Sequence, residues 1–261
     1  MMLWLQPEPG ERMSEHIVIS REGAVQIIRM NRPDKKNALT RAMYAAMAGA
    51  LSGGDADPEV RAHVILGLPG AFSSGNDIAD FMAAAMGGEA GTEVFDFLMA
   101  LVRAEKPIVT GADGIAVGIG TTLHLHADLT FATPRTAFHT PFVDLGLVPE
   151  AGSTLIAPTV IGPQAAFALL ALGEPLAAER AAALGLIHAV VTEGALESET
   201  LATARRIANK PPEALRIARG LMRGPRKALI ARIEEEARHF RERLTSEEAK
   251  AAFIAFMNRK K

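Results

Sequence analysis

The sequence predicts an α/β protein with a spiral core of strand–strand–helix units and a C-terminal helical region. Three observations predict it. β-rich runs come in pairs, each followed by a helical run, and the unit recurs roughly every 40 to 50 residues, as stacked repeats do. Glycine-bearing bends stand ahead of two helical runs, at Gly75 and at Gly118 and Gly120. From Pro163 onward the pattern is helical apart from a short run at Val190 and Val191. Each unit leaves one apolar face for the next to cover, which favours a spiral stack over a flat doubly wound sheet.

In chain order, the β-rich runs 17–19 and 25–30 flank Arg21-Glu22-Gly23, the pattern of a hairpin. The polar loop 31–37 precedes Thr40, an N-cap for a helix with Met43, Met47, Ala50 and Leu51 on one face and Gly53-Gly54 as its stop. Residues 64–66 read as a buried strand, 68–77 as a glycine-bearing loop, 78–86 as a helix and Gly87-Gly88 as a mobile bridge. A helix over 93–104 leads through Pro107 to a strand at 108–109. After Gly114, Gly118 and Gly120 comes a run free of glycine and proline that reads as a helix, then strands at 129–132 and 137–138. Pro163 takes the first position of a helix. Ile230, Ile233, Ala237, Phe240 and Leu244 recur at helical spacing, and Thr245 with Glu248 reads as a capping box for a last helix bearing Phe253 and Phe256. The expected division is a leader over 1–13, with Met13 an alternative start, a core over 14–205, and a helical region over 206–261 that covers the core and pairs subunits.

Lys plus Arg number 28 against 30 Asp plus Glu, a net charge of −2, so no global field recruits nucleic acid or an anionic membrane. The absence of cysteine excludes disulfides, thiolate nucleophiles and Cys-ligated metals. The N-terminus has no basic segment ahead of an apolar run, and no apolar run approaches the ~18 to 20 residues of a membrane span. The expectation is a cytoplasmic protein with no membrane partner.

Two glycine-bearing turns, each feeding a helix, can supply one backbone N–H apiece, the minimum for holding an oxyanion. Glu150 sits in Pro-Glu-Ala-Gly among Leu145, Leu147, Val148 and Ala151; poor hydration raises a carboxyl's pKa and suits it to moving a proton. The plainer alternatives are that Glu150 caps Gly152 or Ser153, that Asp144 is the acid, and that Asp77 is only a helix cap. A dinucleotide fingerprint lacks its third glycine and its acid, and no P-loop occurs. His124 and His126 point to opposite sides of a helix and share no ion, so no metal is expected. Ser73 or Ser74 as a nucleophile lacks a local base.

Asn31-Arg32-Pro33 with Asn37-Ala38-Leu39, then Phe72-Ser73-Ser74-Gly75-Asn76-Asp77-Ile78, then the glycine segment 114–120, resemble in order and spacing the crotonase superfamily, the enoyl-CoA hydratase/isomerase fold. The resemblance covers about 15–261, including Ser246-Glu247-Glu248-Ala249-Lys250. It implies a homotrimer or dimer of trimers and an acyl-CoA substrate whose carbonyl oxygen accepts the backbone N–H groups of Asn76 and Ile119. Ser74, Gly75, Asp77, Ile78 and Gly118 belong to the same implied substrate-binding segments. No cofactor is implied, because coenzyme A is part of the substrate. The two glutamates of the family's hydratases are replaced here by Thr122 and Phe142. Glu150 matches the single catalytic glutamate of the peroxisomal-type Δ3,Δ2-enoyl-CoA isomerases of fatty-acid β-oxidation. The alternative is a hydratase or another acyl-CoA enzyme using Glu150 or Asp144. Ala79 stands where relatives offer a lysine to the CoA phosphates, which leaves Lys35, Lys36, or a neighbour's Arg259, Lys260 and Lys261. Some members bind RNA through a lysine-rich helix; the helix after Thr40 has a single basic residue, Arg41, which argues against it.

Overall fold

The computed structural model describes residues 14–85 and 91–258; the leader 1–13, the Gly87-Gly88 bridge and the basic residues Arg259, Lys260 and Lys261 lie outside them. Strands β1 (Ile17–Glu22) and β2 (Val25–Met30) form the expected antiparallel hairpin, with Ile17 opposite Met30 and Glu22 opposite Val25. Helix α1 (Arg41–Ala56) opens at Thr40, whose hydroxyl oxygen accepts the Met43 N–H. It does not stop at Gly53-Gly54. A Cβ on Gly54 would lie 1.8 Å from Gln26 Oε1 and 2.6 Å from His63, so this glycine serves helix–sheet contact rather than termination.

Three strand pairs follow: β3 (Ala62–Leu66) with β4 (Ala71–Ser73), β5 (Ile108–Ala112) with β6 (Ile115–Val117), and β7 (Leu129–Ala132) with β8 (Ala137–His139). Each gives its first strand to a six-stranded sheet, ordered β1-β2-β3-β5-β7-β10, and its second to a four-stranded sheet, ordered β4-β6-β8-β9. The strands β9 (Leu176–Ala177) and β10 (Ala189–Val190) complete these sheets. Pairing is parallel except between β1 and β2 and between β8 and β9. Successive units therefore advance along two sheets at once, which is the predicted spiral. Strands β4, β6 and β9 escape sequence reading because two or three residues are too few to show alternation.

Between the pairs lie α2 (Ile78–Ala85), α3 (Glu93–Arg103) and α4 (Ile119–Thr122). The helix expected after Gly120 is short: α4 tightens into a 3-10 turn over Leu123–His126, because the chain must re-enter the sheet at Leu129. The remaining helices are α5 (Ser153–Val160), α6 (Pro163–Leu170), α7 (Ala178–Leu184), α8 (Leu196–Ala208), α9 (Pro212–Arg223), α10 (Arg226–Leu244) and α11 (Glu247–Asn258).

Helix α8 covers one face of the six-stranded sheet, with Leu196, Leu201 and Ala204 among Val64, Leu66 and Val109. The larger core gathers Met43, Met47, Phe72, Phe97, Phe138 and, from α10, Ile233. The expected Thr245–Glu248 capping box does not form; a simple cap one residue later replaces it. Thr245 turns its hydroxyl back to the Glu242 carbonyl, and Ser246 accepts the Ala249 N–H at 3.2 Å to start α11. No helix of the described residues is long and apolar enough to cross a membrane.

Candidate active site

Strands β4 and β6 run parallel, with Ala71 opposite Ile115 and Ser73 opposite Ala116, so the turns that follow them emerge side by side. A Cβ on Gly75 would lie 3.0 Å from the Val117 carbonyl oxygen, and one on Gly120 would lie 2.9 Å from that of Ser73. Gly75 (φ 90) and Gly118 (φ 56) adopt left-handed backbone that a side chain would oppose. Leu39 donates its N–H to the Gly75 carbonyl at 2.8 Å and accepts the Asp77 N–H at 2.9 Å. A trans peptide points its N–H opposite its C=O, so the Asn76 N–H faces away from Leu39. The Gly118 carbonyl accepts the N–H groups of Thr121 and Thr122 at 2.8 and 2.9 Å. By the same geometry, the Ile119 N–H points outward from the start of α4. Both predicted amides thus sit on neighbouring turns and face away from the bonds that hold those turns.

The Asn76 turn is braced from below. Buried Asn37 (φ 54) donates Nδ2 to the carbonyls of Ala71 and Phe72 at 3.0 and 3.1 Å, and its Oδ1 accepts the Arg32 N–H at 2.8 Å. Arg32 Nη1 donates to Asp77 Oδ2 at 2.6 Å, while Asp77 Oδ1 accepts the Ala79 N–H at 2.9 Å to cap α2. Burial pushes the Asp77 carboxyl upward, but the Arg32 and Ala79 bonds outweigh it and hold the group below its ordinary value. The cap reading of Asp77 therefore describes its carboxylate. Tyr44, buried on α1, donates its hydroxyl to Asn76 Oδ1. Burial, then the charges of Glu150 and Asp80, raise the Tyr44 phenol well above 10, so it stays a donor.

Glu150 is 6% exposed, and its Oε1 accepts the Thr122 hydroxyl at 3.1 Å. Burial raises its carboxyl from 4.5 to about 7, with the Thr122 bond pulling down and the charge of Glu236 pushing up. Of the capping alternative only a backbone bond is found: the Glu150 carbonyl accepts the Ser153 N–H at 3.1 Å, and its carboxylate caps neither Gly152 nor Ser153. Gly152 N–H and Thr154 N–H are taken by Glu236 of α10, at 2.6 and 3.1 Å. Ala151 (φ 66) and Gly152 (φ 68) are both left-handed, which for Ala151 costs about 1 kcal/mol. His126 Nε2 donates to the Ala151 carbonyl at 2.7 Å. Burial lowers His126 to about 4, so at neutral pH it is an uncharged donor.

Of these groups, Leu39, Tyr44, Asn76, Asp77, Glu150 and Ala151 line a cavity of about 200 Å³; Ile119 is buried and is not part of its lining. Its apolar lining includes Leu39, Phe95 and Leu98 and, from α10, Ile233, Ala237 and Phe240. Asn76 and Glu150 both line it. The other lining acids are engaged: Asp77 by Arg32, Asp80 by the Arg41 N–H at 3.0 Å, and Glu93 by the Arg41 guanidinium at 2.9 and 3.0 Å. Of the four acids only Glu150 is buried. Asp144, the competing acid, is exposed and lies against Gly173, where a Cβ would meet Asp144 Oδ2 at 2.6 Å.

Lys35 is exposed, and its carbonyl accepts the Ser74 hydroxyl at 3.0 Å, which sets its loop against the Asn76 turn. Ile78 begins α2 directly behind that turn. Ser73 spends its hydroxyl on the Asn37 carbonyl at 2.8 Å. His124 faces Thr110 at 2.8 Å, and burial lowers it to about 3. Phe142 is packed in the core. Among the described residues no group of three His, Asp or Glu could hold a metal ion. Sequence reading missed Tyr44, the bond from Thr122 to Glu150, and Glu236. The α10 stripe was visible as an apolar helix face, but its destination as a cavity wall was not.

Fold and site together define a class: two-sheet ββα spirals in which one turn residue, Asn76, and a buried acid, Glu150, line an apolar cavity, while the second turn, at Ile119, emerges beside the first. Residues 20–261 match the enoyl-CoA hydratase/isomerase family, and the chain belongs to that family, the crotonase superfamily. Enoyl-CoA delta isomerase 2 of Rattus norvegicus is 36% identical over 253 residues, which cover 95% of this chain and 64% of that protein. The chain thus spans less than two thirds of that relative's length. Among solved structures, Pseudomonas aeruginosa OdaA is 42% identical with a TM-score of 0.89, over 94% of this chain and 99% of that one. An enoyl-CoA hydratase of Mycobacterium avium subsp. paratuberculosis is 25% identical with a TM-score of 0.84, over 94% of this chain and 96% of that one.

Proposed function

We propose that the chain is a Δ3,Δ2-enoyl-CoA isomerase of β-oxidation, acting on an acyl-CoA thioester without a separate cofactor. The observation that carries the reading is Glu150: one buried acid on an apolar cavity, its carboxyl raised to about 7, with Thr122 and Phe142 where a hydratase has its acids. Ionised Glu150 takes the C2 proton of a 3-enoyl thioester. The C2–H electron pair forms the C1–C2 double bond, and the carbonyl becomes an oxyanion that accepts the Asn76 and Ile119 N–H groups. Glu150 then returns the proton to C4: the oxyanion restores the carbonyl, the C1–C2 double bond shifts to C2–C3, and the C3–C4 pair forms the new C4–H bond. Losing one oxyanion donor costs about 2.7 to 4 kcal/mol of transition-state stabilisation. Lys35, exposed beside the Asn76 turn, is the described cation this reading assigns to the CoA phosphates.

The assembly proposed is a homotrimer or dimer of trimers. Supporting it, α9 exposes Leu221 and Met222, each at 79%, and the α6 region exposes Phe167 and Leu172 at 60% and 56%.

Purified protein given 3-enoyl-CoA and 2-enoyl-CoA separately tests the reaction. Conversion of the first to 2-enoyl-CoA is expected, with loss of about 10²- to 10⁴-fold in Glu150→Gln. Hydration of 2-enoyl-CoA alone, or full activity in Glu150→Gln, would overturn the proposal.

A further inference from the structure

Helix α10 reaches back to the turn that carries Glu150. Glu236, 5% exposed, accepts the Gly152 N–H at 2.6 Å through Oε2. Its Oε1 accepts the Thr154 N–H at 3.1 Å and the Thr154 hydroxyl at 2.5 Å. Arg232 Nη1 donates to Thr154 Oγ1 at 3.0 Å. The helix also abuts the turn sterically, since a Cβ on Gly152 would lie 2.3 Å from Leu229 Cδ1 and 3.2 Å from Ile233 Cγ1.

A helix start is ordinarily capped by a neutral or acidic side chain at its own first position. Here that position is Gly152, which has none, and the cap comes from a residue 84 positions later. Burial pushes the Glu236 carboxyl up, with the Thr154 and Gly152 bonds and the Arg232 charge pulling it down, and when ionised it adds like charge beside Glu150, an electrostatic cost that a local serine would avoid. A device so placed does more than close a helix. We infer that Glu236 is a positioning residue for Glu150: its carboxylate fixes the left-handed Ala151-Gly152 pair and so the direction in which Glu150 faces the cavity. The inference rests on the role proposed for Glu150.

Glu236→Gln keeps the volume and one acceptor but removes the charge and the second acceptor; Glu236→Ala removes everything. Two readouts separate positioning from plain stability: the split between kcat and KM on 3-enoyl-CoA, and the titration of Glu150 followed by ¹³C-glutamate NMR, assigned with Glu150→Gln. The other groups around Glu150 are unchanged: Thr122 of α4, which bonds it, Tyr44 of α1, which feels its charge, neutral His126 on the Ala151 carbonyl, and the charged residues that line the same cavity, Arg41, Asp77, Asp80, Glu93 and Arg241.

In Glu236→Gln, kcat is expected to fall about tenfold with KM within about twofold, a loss confined to the transition state. The Glu150 midpoint is expected to move down by about half to one pH unit as the like charge disappears. If Glu236→Ala fails to fold, Glu236→Gln decides. Wild-type kcat in Glu236→Gln, or an unmoved Glu150 midpoint, overturns the inference. A wild-type protein that leaves 3-enoyl-CoA untouched sinks the isomerase reading instead, and the titration still decides the role of Glu236.

Discussion

The hydroxyl of Thr122 stands 3.1 Å from Glu150 Oε1, inside a site where both residues are buried. Thr122 is therefore not idle: its hydroxyl offers a hydrogen-bond donor to the buried acid. In sequence Thr122 reads as a missing carboxylate. In the fold it is the one side chain bonded to the Glu150 carboxylate among the described residues.

Thr122→Val keeps the shape and removes this donor. A hydrogen bond to an ionised group is worth about 1.5 to 3 kcal/mol, so its loss moves Glu150 ionisation upward by about one to two pH units. The acid limb of kcat against pH is expected to shift upward accordingly, with activity at pH 7 down about tenfold. An acid limb that stays in place in Thr122→Val contradicts this account of the bond.

Glu150 also links stability to pH. Below about 4.5 its carboxyl is protonated in both folded and unfolded chains. Between 4.5 and about 7 the unfolded chain releases the proton while the folded one holds it, so the folded state loses ground as pH rises through this window. The full rise corresponds to about 3 kcal/mol. Glu150→Gln is expected to match wild type in urea unfolding near pH 4.5 and to exceed it by up to about 3 kcal/mol at pH 8. Equal stabilities at pH 8 would show that burial does not oppose Glu150 ionisation.

Ala237 tests the cavity wall. Leucine at this α10 position fills part of a space of about 200 Å³ that Phe95 and Leu98 also line. The expected result is a KM that rises at least about fivefold more for long acyl chains than for short ones, with an overpacking cost of about 1 to 3 kcal/mol in thermal unfolding. A uniform change across chain lengths would place the acyl chain elsewhere.

What could be read from the sequence was what is local. Thr40 capping α1 and Asp77 capping α2 depend on neighbours three residues or fewer away, and both are found as read. The isolation of Glu150 among apolar residues likewise foretold its burial. The glycines at 53 and 54 misled because a glycine demanded by contact with Gln26 and His63 looks the same in sequence as one that ends a helix. Glu236 carried no signal at all. On α10 it is one of three consecutive glutamates, and only the three-dimensional path of the chain distinguishes it from Glu234 and Glu235. Tyr44 was hidden similarly, being apolar enough for the α1 core face while its hydroxyl serves Asn76 across 32 residues.

The return of α10 to the Glu150 turn has a consequence for the order of events on the ribosome. A nascent chain emerged as far as Thr154 already contains both turn amides and the acid, yet it lacks the carboxylate that clasps Gly152 and the apolar wall from Ile233 to Phe240. Closing so long a loop is among the slower steps of folding. A chain that ends short of α10 therefore holds Asn76, Ile119 and Glu150 without the carboxylate and the apolar side chains that α10 adds to them.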